Sequence, residues 1–251
     1  MIFLLTGALA VAYALGQREL RARRRSRDGR GIALFASGLL ALLAAFWPPL
    51  EEAADRLFSV HMIQHELLMV VAAPLLVASS SFPALIWALP RRGRQFVALT
   101  IRRTRIRAAW SWLTRTLPAS VLHGLAIWLW HAPLLFDAAL EHEWIHVAQH
   151  VSFFGTGLLF WSSVIRPHRR EARGQAVLSL FATSVHSGVL GALLAFSRTP
   201  WYAPYGAGAI EDQQLAGLIM WVPASIAYLV ASLIVARRWL IESEMVVKLQ
   251  R

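Results

Sequence analysis

The chain has 251 residues, 57% of them hydrophobic and only 16% charged, and it contains no cysteine. Soluble domains are less apolar and about 25% charged, so an ordinary soluble domain is excluded, and so are disulfides and thiolate metal sites. The net charge of +11 raises the question of nucleic acid, which the placement of the charges answers below.

Seven apolar runs approach or exceed the ~18 residues that suggest a transmembrane helix. They are 1–16, 31–48, 60–80, 117–136, 143–165, 175–197 and 212–236. Seven such runs use most of the chain. The prediction is one all-α domain over 1–251, a polytopic seven-transmembrane-helix bundle. The first run is short for a span. Its positive charges follow the apolar stretch, whereas a cleaved signal peptide carries them in front.

Lys and Arg cluster in alternate connections: seven in 17–30, eight in 91–115, four in 166–173 and four after 236. The other connections hold only Arg56 and Arg198. The positive-inside rule then predicts an outside N-terminus and a cytoplasmic C-terminus. This pattern serves topology and lipid contact, and no nucleic-acid partner is expected. The 82–115 segment mixes Trp87, Trp110 and Trp112 with arginines, which suits an interfacial amphipathic stretch rather than an eighth span.

The third run opens with His61-Met62-Ile63-Gln64-His65, and the fifth contains His146-Val147-Ala148-Gln149-His150. Both read H-x-x-Q-H. Histidines four apart share one helix face, one turn apart, and putting such pairs into hydrocarbon is costly unless a partner, cavity or metal compensates. On the predicted topology both pairs enter from the outer surface. His131 lies near the outer end of the fourth run, His186 within the sixth, and Glu211-Asp212-Gln213-Gln214 opens the seventh. His61, His65 and Met69 make an i, i+4, i+8 stripe.

Neutral imidazole suits Zn, Cu, Fe and Ni, and a nearby thioether tilts the choice towards Cu(I). His61, His65, His146, His150 and His186 are the candidate ligands. Gln64, Gln149, Glu66 and Asp212 are candidates to hold a ligand's second ring nitrogen, and Met62 and Met69 to admit or relay Cu(I). Any single histidine here also fits an interhelical hydrogen bond; the repeated pair fits that reading least. His123 and His131 fit packing or interface roles, and His142 a solvated surface. Trp128, Trp130, Trp144, Trp201 and Tyr202 read as an aromatic belt at the outer interface. No Walker, Rossmann or H-E-x-x-H pattern is present.

The two H-x-x-Q-H segments, Val70-Val71-Ala72-Ala73-Pro74-Leu75-Leu76, His131-Ala132-Pro133, Pro200-Trp201-Tyr202 and Asp212-Gln213-Gln214 with Gly217 together resemble the membrane-integral CtaG family of cytochrome c oxidase assembly factors, over roughly 30–235. The resemblance implies a multi-pass protein of the bacterial cytoplasmic (inner) membrane. It implies a role in oxidase maturation, with copper as cargo and oxidase subunits or copper donors as partners. It marks His61, His65, His146, His150, His186 and Asp212 as the motif positions. Two rival readings stand beside it. One is a zinc-dependent intramembrane hydrolase built on three His and Asp212, with Glu66 as base. The other is a haem-binding or scaffolding membrane protein.

Overall fold

A computed structural model describes residues 2–22, 29–165, 172–206 and 209–249. His168 and much of two basic connections, 23–28 and 166–171, lie outside the described residues. Among the described residues the chain is helical throughout, with no strand. The helices are α1 (Ile2–Ala22), α2 (Gly29–Ala45), α3 (Pro48–Ala54), α4 (Phe58–Glu66), α5 (Ala73–Ala78), α6 (Phe82–Ala88), α7 (Arg91–Arg102), α8 (Thr104–Leu113), α9 (Thr116–Trp130), α10 (Pro133–Glu141), α11 (Glu143–Ile165), α12 (Ala172–Ala195) and α13 (Ile210–Leu249). A π turn, Leu67–Ala72, joins α4 to α5.

Among the described residues, three stretches are each long and apolar enough to cross a membrane: Phe58–Ala78, Arg173–Ala195 and Ile210–Ser243. The number rises to five if two bent pairs each count as one span. These pairs are α2 with α3, bent by 49°, and α9 with α10, bent by 73°. Both bends have a local cause. Pro48 and Pro133 each open the second helix of their pair, where the absent N–H is tolerated, whereas inside a continuous helix it would break a bond and clash. The run expected as one span over 117–136 therefore turns at His131–Ala132. α1 and α11 have 21 and 23 residues but are not among these stretches.

The outer surface is apolar. Leu178, Phe181, Val185, Val189 and Leu193 recur at helical spacing along α12 and are all exposed. Leu215, Leu218, Val222, Ile226, Leu229 and Leu233 do the same on α13. A water-facing surface rarely carries such contiguous stripes; lipid is their natural solvent. The interior face of the α12–α13 pair is close-packed through small residues. A Cβ on Gly217 would lie 2.5 Å from the Gly191 carbonyl oxygen, and one on Gly191 would lie 2.8 Å from the Gly217 oxygen. Only glycine allows these backbones to approach so closely.

The 82–115 segment forms three short helices of 7, 12 and 10 residues, none long enough to span. α6 docks on α1 through buried Ala84, whereas α7 buries no residue. Phe96, Leu99, Trp110 and Trp112 are exposed alongside the arginines, and the Arg94 guanidinium lies 4.6 Å from the Trp87 ring centroid.

The π turn has a readable cause. In π register the N–H of residue i bonds the carbonyl of i−5, and Ala73 N–H does bond the Leu68 carbonyl. The next donor would be Pro74, which has none, so the Met69 carbonyl loses its partner. Trp161 of α11 supplies the missing donor: its indole N–H reaches the Met69 oxygen at 2.8 Å. This bond ties α11 to the helix that carries the first histidine pair.

Candidate metal centre

α4 and α11 turn their H-x-x-Q-H faces towards each other. One ring nitrogen from each of His61, His65 and His150 lies within 4.8 Å of the other two, and all three residues are buried. His61 Nε2 and His65 Nε2 are 3.0 Å apart. The His146 ring centroid lies 4.3 Å from that of His150 and 5.3 Å from that of His61, and this residue is only half-buried. Phe46, Phe136 and Phe153 pack around the group.

The tautomers follow from the surrounding bonds. The Tyr205 hydroxyl lies 3.1 Å from the Ala54 carbonyl oxygen and 3.3 Å from His61 Nδ1. A carbonyl only accepts, so the hydroxyl donates there and accepts from His61 Nδ1–H. That leaves the His61 Nε2 lone pair facing His65. Burial pushes the phenols of Tyr202 and Tyr205 up, so both keep their donor protons. His131 repeats the pattern: its Nδ1 donates to the Ile127 carbonyl at 2.7 Å, and its Nε2 lies 3.5 Å from Met62 Sδ. The His131 ring centroid is 6.0 Å from that of His65. Orientation of one ring nitrogen by a hydrogen bond to the other is how metal-ligating imidazoles are held.

Several polar atoms here have no partner. His65 Nδ1, His146 Nε2, His150 Nε2 and both amide atoms of Gln149 are buried without hydrogen bonds. Buried polar atoms are about 90% or more satisfied in folded proteins, so such a concentration around one point marks a place for a polar occupant. The donor set fits a metal ion. Two nitrogens bound at ~2.0 Å in tetrahedral geometry lie about 3.3 Å apart. The 3.0 Å between His61 and His65 is within a few tenths of that.

The other predicted positions have different surroundings. Asp212 accepts from Phe58 N–H at 2.6 Å, from Ser59 N–H at 3.3 Å and from the Ser59 hydroxyl. It caps the start of α4 from the start of α13, where two helix N-termini favour an anion. Gln213 accepts from Trp201 N–H at 2.6 Å, and Gln214 donates to the Ser197 carbonyl at 3.1 Å. Asp212-Gln213-Gln214 thus anchors both α4 and the loop that delivers Tyr202 and Tyr205. Gln64 donates to the Ala45 carbonyl at 2.9 Å, at the end of α2. Gln149 lies beside His61. Glu66 has an enclosed carboxylate oxygen, Oε2, with no partner. Met62 joins the cluster through His131, whereas Met69 packs into the core beneath it with Phe153 and Leu190.

His186 stands apart. Its Nδ1 accepts from Trp128 Nε1 at 3.3 Å, and it lines a lateral cleft between α9 and α12 with Ser120, Gly124 and Thr183. His123 is also separate, with Nδ1 3.1 Å from the Thr156 hydroxyl and Nε2 3.5 Å from that of Tyr228. His142 is exposed. Sequence reasoning missed His131 and Tyr205 as parts of the site and placed Tyr202 in an aromatic belt at the outer interface. Tyr202 is buried and donates to the His131 carbonyl at 2.9 Å. His131-Ala132-Pro133 carried a signal, a helix end fixed by proline. Tyr205 lies in a loop whose position no periodicity reveals.

The model of the cytochrome c oxidase caa3 assembly factor family matches residues 11–242, and the chain belongs to that family. It is 25% identical, over 92% of its length, to the uncharacterized proteins Mb0105 of Mycobacterium bovis and MT0111 of Mycobacterium tuberculosis. It spans 37% of the length of each. No solved structure matches.

Proposed function

We propose that this member of the caa3 oxidase assembly family binds copper at the histidine cluster and presents it during maturation of the oxidase. The observation that carries the reading is the convergence of His61, His65 and His150, with His146 beside them and unpartnered ring nitrogens among them. His61, His65 and His150 are the first ligands, and His146, half-buried at the margin, is where an ion arrives or leaves. His131 and Met62 add an imidazole and a thioether, the soft donor that favours Cu(I) over zinc. Tyr205 orients His61, and Gln149 lies beside it.

The proposal includes a seven-helix bundle in the bacterial inner membrane. α1, α2–α3, α4–α5, α9–α10, α11, α12 and α13 cross it, with the N-terminus outside. The cluster then faces the periplasm, close to oxidase subunits or to a copper donor. The test is metal analysis of the purified full chain, with and without His65→Ala and His150→Ala, together with oxidase activity and oxidase transcript in cells. Copper bound by the wild type and lost in the double variant, with oxidase activity falling at constant transcript, is the expected result. Wild-type copper content and oxidase activity in the double variant would refute the reading. Zinc in place of copper would favour the hydrolase.

A further inference from the structure

The far end of the bundle carries a second feature, distinct from the histidine cluster. A cleft of about 530 Å³ lies between α5, α11 and α13, lined also by Arg30 and Arg173, which stand in the first turns of α2 and α12. Its wall includes Val70, Leu75, Val164, Ile234 and Val235. Among the described residues, the charged ones lining it are Arg30, Arg173 and Arg238. Glu242 is paired with Arg173. The volume is within the ~300–1,000 Å³ typical of ligand sites.

Hydrocarbon along one length and guanidinium at one end define the complement: an amphiphile with an apolar tail and an anionic head. Arginine recognises phosphate through paired N–H donors, and basic pockets between membrane helices bind anionic headgroups. Neighbouring surfaces of α12 and α13 are already apolar and exposed, so a lipid enters sideways without crossing water.

We propose that this cleft holds an anionic glycerophospholipid. One acyl chain lies along Val70, Leu75, Val164 and Val235, and the phosphate lies among Arg30, Arg173 and Arg238. The inner wall includes Trp161 and Pro74, so the seated chain packs against the indole that closes the π turn below the histidines. The inference stands whether or not the histidine cluster binds copper.

The test uses the full chain purified in a non-ionic detergent and stripped of lipid. Phosphatidylglycerol and phosphatidylcholine with identical acyl chains are added separately. Retained lipid is read by native mass spectrometry and stability by the unfolding midpoint. Phosphatidylglycerol is expected to be retained in preference and to raise the midpoint. Arg30→Gln with Arg238→Gln should reduce that preference about tenfold or more, the scale of a hydrogen bond to a charged group. Arg91→Gln with Arg92→Gln, on exposed α7, should leave it unchanged. Ala231→Trp fills the cleft and should expel the lipid with all three arginines intact, which decides the matter if the arginine variant does not fold. Equal retention of phosphatidylcholine would overturn the proposal. So would equal stabilisation by inorganic phosphate alone, or an equal loss of preference in the α7 variant.

Discussion

Asp212→Ala should loosen α4 without removing a ligand from the histidine cluster. The carboxylate holds the N–H groups of Phe58 and Ser59 and the Ser59 hydroxyl. Phe58 and Ser59 are buried, whereas Asp212 is half-buried, so water replaces only part of what is lost. Losing a helix cap costs about 0.5–2 kcal/mol, and a hydrogen bond to a charged group is worth about 1.5–3 kcal/mol. Together they give an expected loss of about 2–3 kcal/mol, a fall in unfolding midpoint of about 4–12 °C for a chain of this size. Asp212→Asn keeps one acceptor oxygen and should lose roughly half as much. Thermal unfolding of the purified protein, paired with metal stoichiometry at saturating copper, reads both quantities. The Ala variant should melt earlier and still bind its full complement of metal. An unchanged midpoint with the metal gone would refute the capping assignment and make Asp212 a ligand.

Trp161→Phe should leave the Met69 carbonyl without a donor in the interior, costing about 1–3 kcal/mol, seen as an earlier thermal transition. Tyr205→Phe removes the acceptor that orients His61 Nδ1, and copper affinity measured by competition should fall about 10–100-fold, the usual effect of losing such a partner. His186→Ala should leave metal stoichiometry at the wild-type value, because that ring is held by Trp128 outside the cluster. Gly217→Val should block the α12–α13 approach, where even a Cβ meets backbone atoms at 2.5 Å. The expected result is loss of folded protein after extraction.

The helical class and the facing of the two histidine pairs were legible because both rest on periodicity. His61 and His65 share a face of one helix and His146 and His150 a face of another, and burial of those faces brings the helices together. Asp212 and His186 were harder to read for a different reason. Each has a polar side chain at a fitting depth, but its partner is set by which helix lies opposite, and depth carries no such information. Tyr205 could not be found by pattern, since Gln213 and Gln214 position its loop through bonds to backbone atoms. The bends at Pro48 and Pro133 were available in the sequence. Apolar content continues across both prolines, so a hydropathy reading passes over the break.

A π turn is geometrically an α-helix that has absorbed one extra residue, and Leu67–Ala72 has this consequence for Phe58–Ala78. Positions before and after the turn keep separate registers. A wheel drawn straight through the segment misassigns every residue beyond Leu67 by about 100°, the rotation of one residue. In the evolution of such chains, a one-residue deletion between His65 and Pro74 would be milder than its position suggests, because an uninterrupted α-helix would restore both faces. A residue lost between Val70 and Ala73 would leave Met69 four before the proline, so its carbonyl would still lack a backbone donor and still need the Trp161 bond. A relative with one residue fewer here is therefore expected to keep that tryptophan, and an alignment that refuses the gap would set its core residues opposite the wrong partners.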